Sequence, residues 1–226
     1  LGVLAAFIVN LVFIPPKYET KLFMRITENT EDIIKWIRIN LRQATDHNVL
    51  KDEIVKLKEH MIKLDQLYLN YKEERNYFKR ESYAKSRKLV LFRQMIVTTN
   101  RALETLKKLH RLENELHQMP ESFQKVLISE LDYLLYIHEE SLLRFIGKIK
   151  TQPPSEPMRE NKFNKQQLTE VFMEFYKNQD SSCFYHLLPL VSAIIDYSEQ
   201  LEHLDTLISS FKSFHKEANE VRITEE

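Results

Sequence analysis

The sequence predicts an all-α protein, an antiparallel bundle of long helices that follows the end of a transmembrane helix. Three observations carry this expectation. Apolar residues recur at steps of three and four over most of the chain and nowhere alternate as in a strand. Only 2 of the 226 residues are glycine, Gly2 and Gly147. That leaves little for tight hairpins, Gly-rich phosphate loops or dinucleotide folds, which need positive φ or close backbone approach. Finally, residues 1–14 (LGVLAAFIVNLVFI) are apolar or glycine at every position except Asn10.

That first run is shorter than the ~20 apolar residues a span requires. Pro15-Pro16 ends it, and Lys17, Lys21 and Arg25 follow on a stretch that turns amphipathic. Positive charge behind an apolar helix marks the cytoplasmic flank of a span. With no initiator Met, residues 1–16 read as the C-terminal part of a transmembrane helix in a longer inner (plasma) membrane protein, with residues 17–226 cytoplasmic. Two other readings are a buried core helix and a signal-peptide core. The second lacks a preceding basic residue and a small-residue cleavage site.

The length fits one domain, placed at 17–216. A first helix is predicted from Lys17 to Ala44, with Phe23, Ile26, Ile33, Ile37 and Leu41 on one face. Asp46 or Asn48 caps the next helix. Its stripe of Leu50, Ile54, Leu57, Met61, Leu64, Tyr68 and Tyr71 alternates steps of four and three over three heptads, a coiled-coil pattern. Residues 72–93 carry 8 Lys and Arg against 3 Glu, as either a helical corner near Glu81-Ser82 or a long helix tip in water. A third helix spans Lys85 to His117, with Leu89, Phe92, Ile96, Leu103 and Leu106 in line. Pro120 suits the first turn of a fourth helix, Glu121 to Lys150. Residues 151–164 (TQPPSEPMRENKFN) hold three prolines without periodicity and form a linker. A short helix, Lys165 to Asn178, and a long one, Phe184 to Lys216, complete the bundle before a polar tail at 217–226.

Composition narrows the function. The single cysteine, Cys183, excludes an internal disulfide and a Cys-based zinc site, and fits a reducing compartment. Residues 1–154 carry 26 Lys and Arg against 20 Asp and Glu, and residues 155–226 carry 7 against 13. A basic first part beside a membrane exit suits an anionic leaflet. Lys17, Lys21, Arg25, Arg75, Lys79, Arg80, Arg87 and Lys88 are therefore candidate contacts for headgroups or small organic anions. The basic, aromatic-rich stretch Tyr68 to Arg93 could contact phosphate and stack on bases of a nucleic acid. Its Lys and Arg are interspersed with Glu, however, and Tyr68 and Tyr71 belong to the core stripe, so a solvated tip is the preferred reading and no nucleic-acid partner is expected.

Catalytic signatures are missing. None of the eight histidines has an acidic residue three positions before it, as a Glu-x-x-His di-iron bundle requires. His-Glu-x-x-His, a serine elbow and a Walker loop are absent too. One cluster keeps ligand spacing: His110, Glu113 and His117, at steps of three and four on one helical face. Two imidazoles and a carboxylate suit zinc or iron. If the packed face turns to Leu109, Leu112 and Leu116, the trio is solvated, and that is the preferred reading. Neither an enzyme nor a cofactor is expected.

Gly2-Val3-Leu4, Asn10 within the apolar run, the Pro15-Pro16-Lys17-Tyr18-Glu19 exit, Lys72-Glu73-Glu74-Arg75 and Lys88-Leu89-Val90-Leu91 together resemble the aromatic acid exporter family. These are FUSC-like bacterial inner-membrane proteins in which a bundle of spans precedes a cytoplasmic helical domain. The resemblance covers the last span and residues 17–216. It implies the C-terminal domain of an efflux permease for aromatic or other organic acids, non-catalytic, with a regulatory or assembly role and self-association through the membrane part or the bundle. The rival expectation is a membrane-tethered interaction or sensor module without transport activity.

Overall fold

The computed structural model describes the backbone of residues 18–42, 46–74, 79–116, 119–146, 163–178 and 181–214, and their side chains except at 79–82, 178, 181–184 and 212–214. The apolar run, most of the proline linker and the tail lie outside the described residues. Among those described, no helix is long and apolar enough to cross a membrane.

The described chain is all helical, without a strand. Helix α1 is Glu19–Leu41, α2 His47–Glu73, α3 Lys79–Arg111, α4 Glu113–Leu116, α5 Glu121–Ile146, α6 Lys165–Asn178 and α7 Ser181–Phe214. Local chemistry sets several ends. Asp46 caps α2 by accepting from the Asn48 backbone N–H at 2.8 Å. Asn164 caps α6 by accepting from the Gln167 N–H at 2.9 Å, so two orphan amides find partners.

Two boundaries differ from the sequence expectation. Helix α2 ends at Glu73 and α3 has already begun at Lys79, so Glu81-Ser82 lies within α3 and is no corner. The third helix stops at Arg111 rather than His117. There the Leu112 N–H is shared between the carbonyls of Lys108 (3.2 Å) and Leu109 (3.1 Å), a tightened last turn of the kind that closes α-helices.

The helices run up and down. Tyr71 near the end of α2 meets Glu19 at the start of α1, so α1 and α2 are antiparallel. Tyr68 bonds the Leu89 carbonyl and Asp65 faces Arg93, which makes α2 and α3 a hairpin. Gln94 on α3 contacts Gln200 on α7, and Arg101 contacts Asp196, again antiparallel. Helix α3 is the centre, packing on α7 most extensively and also on α1 and α2, while α5 packs on α7, α6 and α1.

Apolar stripes meet along these contacts. Leu50, Ile54, Leu57, Met61, Leu64 and Tyr71 are buried on α2, and Phe92, Ile96, Leu103 and Leu106 on α3. Helix α7 contributes Leu187, Leu190, Ile194, Tyr197, Leu201, Leu204, Ile208 and Phe211 to the same core. Phe23, Phe92, Phe145 and Phe211 form an aromatic knot with neighbouring ring centres 5.2–6.4 Å apart, tilted or edge-on as ring quadrupoles prefer.

Candidate functional site

Two places on the bundle gather groups able to bind something. The first is a groove between α1 and α2. Lys21, Arg25 and Asn29 recur every four residues along α1 and therefore share one face. Helix α2, running the other way, brings His60 and Lys63 opposite them, with Leu64 and Leu67 in the lining. The groove holds about 360 Å3. Buried Asn29 fixes the register of its walls, donating to the His60 carbonyl at 3.4 Å and reaching the Met61 sulfur at 3.9 Å. Arg25 pairs with Glu28 at 2.7 Å on the exposed surface. Among the described residues neither Lys21 nor Lys63 enters an ion pair, so the groove is net positive.

Only part of the sequence-predicted basic set gathers here. Lys21 and Arg25 line the groove; Lys17 and Arg75 lie outside the described residues, as do the side chains of Lys79 and Arg80. Arg87 places its guanidinium 5.1 Å from the centre of the Phe211 ring. Lys88 is not available to a headgroup or an organic anion. It is buried, and its ammonium meets Glu19 at 2.5 Å. The counter-charge was out of sight in the sequence because it stands on another helix.

The second place is the end of the α2–α3 hairpin where α2 begins and α3 finishes. His110 sits in the last turn of α3, and Glu113 opens α4 just past the Leu112 turn. His117 lies outside the described residues. A third donor arrives from elsewhere: His47, the first residue of α2, stacks its ring on His110 with centroids 4.0 Å apart. His47 Nδ1 lies 3.1 Å from Glu113 Oε2, and His110 Nδ1 lies 3.9 Å from the same oxygen. One nitrogen from each histidine and a Glu113 oxygen fall within 4.8 Å of one another.

The packed face of this turn does rotate to Leu109 and Leu112, both buried, with Leu116 half-buried. That rotation still leaves His110 inside, its side chain 11% exposed, and its Nδ1 has no hydrogen-bond partner. Burial, reinforced by the neighbouring His47 and Lys51 and opposed by Glu113, lowers the His110 pKa below its ordinary value. The imidazole is therefore neutral near pH 7, the form that accepts a metal. No spacing rule pointed to His47, because its approach depends on where the hairpin turns.

A third titratable cluster is structural. His138 on α5 is fully buried, with Nδ1 2.8 Å from the Tyr197 hydroxyl on α7. Burial pushes His138 down to about 3 and raises Tyr197. Both remain neutral under ordinary conditions.

Comparison with known proteins gives one informative relative. The chain is 59% identical, over all 226 residues, to the UPF0421 protein YgaE of Bacillus subtilis (strain 168). It spans 64% of that protein's length. No protein-family model matches the chain, and no solved structure matches it.

Proposed function

We propose that this chain is the cytoplasmic helical-bundle part of an exporter-like inner-membrane protein, a non-catalytic module that regulates or assembles the membrane part and meets organic anions or headgroups at its basic groove. The observation that carries this reading is the position of the groove. Lys21 and Arg25 come a few residues after the apolar run 1–14 and the Pro15-Pro16 stop, and they face Lys63 and His60 across α1 and α2. A positive groove on the first helix behind a span would stand against the inner leaflet, where anionic lipid attracts basic side chains. It would also be open to a carboxylate on its way to the span bundle. The Bacillus subtilis relative is longer than this chain, which leaves room for further spans. The absence of catalytic spacing in the sequence fits a module that binds rather than reacts.

The test has two arms. A reporter fused after Glu226 in cells should give a cytoplasmic signal; a periplasmic one overturns the placement. In the second arm the purified chain is melted in detergent with and without 4-hydroxybenzoate. Binding to the folded state alone raises the melting temperature. The rise should vanish in Lys21→Ala/Lys63→Ala, and a wild-type melt indifferent to the acid removes organic anions from the reading. Flotation with anionic against neutral vesicles then separates a headgroup contact from a free acid.

A further inference from the structure

His47, His110 and Glu113 come together at the edge of the apolar core. The leucines at 109 and 112 already close this end of the core. We propose that the three residues form a binding site for a divalent transition metal of the zinc class, with solvent supplying the remaining coordination. The inference is independent of the basic groove and of membrane attachment.

Geometry leads the argument. A tetrahedral zinc with ligand bonds of ~2.0–2.1 Å separates its donor atoms by roughly 3.3–3.4 Å. The 3.1 Å between His47 Nδ1 and Glu113 Oε2 is already near that separation, and the 3.9 Å from His110 Nδ1 to the same oxygen needs only a small closure. The adjustable partner is on the outside. His47 is 55% exposed, so its ring can turn out of the stack and bring its in-plane lone pair onto a shared centre.

Donor chemistry selects the ion. Two imidazole nitrogens and one carboxylate disfavour calcium and magnesium, which take oxygen ligands, and suit zinc and neighbouring first-row metals. The buried Nδ1 of His110 supplies an independent sign. A buried polar atom without a partner is costly, and a metal bound by Glu113 and His47 would satisfy it. The donors also stand on firm supports, since Asp46 caps the turn bearing His47 and the Leu112 turn sets where α4 starts. A bound ion would tie the start of α2 to the end of α3 and to α4, clamping the open end of the hairpin. Nearby Lys51 opposes a cation and tempers the affinity.

The test uses the full 226-residue chain, purified without a histidine tag, and Co2+ as a spectroscopic probe. One equivalent of Co2+ should produce visible d–d absorption, and one equivalent of Zn2+ should abolish it. Zn2+ should raise the melting temperature and a chelator should reverse the rise. His47→Ala is the decisive variant, because an exposed side chain can be lost without disturbing the core. It should melt like wild type in chelator yet bind Zn2+ more than about tenfold more weakly, a loss at least as large as removing a metal's outer-shell support. Glu113→Gln, nearly isosteric, should do the same. Absence of a d–d band, or a spectrum and zinc affinity unchanged in His47→Ala, would overturn the site and leave a histidine–carboxylate contact.

Discussion

Glu19 and Lys88 offer a sharp test of how the bundle is held. Their side chains are 7% and 11% exposed and meet at 2.5 Å. The second Glu19 oxygen accepts from the Tyr71 hydroxyl at 3.1 Å, and burial with the nearby carboxylate raises the Tyr71 pKa. Glu19→Gln keeps the size of the side chain and an acceptor for Tyr71 but removes the counter-charge of a buried ammonium. Breaking a buried pair from one side costs about 3–5 kcal/mol. Because Lys88 keeps a little exposure, we expect about 3 kcal/mol here, at the low end of that range. Lys88→Met should cost about 2 kcal/mol for the mirror-image reason, leaving a buried carboxylate with the Tyr71 hydroxyl as its hydrogen-bond partner and only the field of Lys85 as counter-charge. Glu19→Gln/Lys88→Met leaves no charge stranded, so its loss should stay near 1 kcal/mol against about 5 kcal/mol for the two single losses together, a coupling energy of about 4 kcal/mol. Urea unfolding of a fragment spanning residues 18–216, followed by far-UV circular dichroism with a common m-value, measures all four corners of the cycle. Single losses that add to within about 0.5 kcal/mol would mean that the two charges do not depend on each other, and would refute the reasoning.

Two further predictions follow from burial. Leu64 on α2 and Leu204 on α7 are 1% and 0% exposed, so Leu64→Ala and Leu204→Ala should each lower stability by about 2–5 kcal/mol. If the Leu204 loss depended on protein concentration while Leu64 did not, α7 would be pairing with another copy of the chain rather than closing this core. His138 governs the pH response: its folded pKa of about 3 lies below the ordinary histidine value, so its contribution is full above about pH 6.5 and is lost as pH falls from there toward 3. Between pH 7 and pH 5 this amounts to about 2 kcal/mol. His138→Phe should lose correspondingly less over that interval in urea melts, and an equal loss in both proteins would rule His138 out as the source.

The apolar architecture was readable because each stripe is a local pattern. Leu50 through Tyr71 and Leu187 through Phe211 repeat without interruption, and each stripe faces the core. The helix breaks were harder, since neither the segment between Glu73 and Lys79 nor Leu112 carries the Gly or Pro that would mark it. Buried polar residues escaped altogether. Lys88 looks like one more surface cation, and nothing in its neighbourhood along the chain announces Glu19. His110 and Glu113 share a helical face and could be paired by spacing; His47 could not. Its partners His110 and Glu113 lie 63 and 66 positions away and are set by the α2–α3 register.

That register is itself controlled by the polar residues the sequence hid. Leucine stripes alone permit two helices to slide by a turn with little loss, because one leucine replaces another; a buried polar pair does not tolerate the slide. Thr30 meets Thr99 at 2.7 Å, and Glu19 meets Lys88 with the same separation of 69 residues. Helices α1 and α3 are therefore pinned in parallel at two heights by contacts that would fail together. Gln94 with Gln200 and Arg101 with Asp196 pin α3 against α7 from its other side. With α3 held axially on both flanks, the end of α3 reaches the start of α2 at one height only, and His110 meets His47 there. A metal at that junction would lock a placement that distant polar pairs had already chosen, so disrupting Glu19 and Lys88 should weaken zinc binding at His47 and His110 even though neither residue touches the ion.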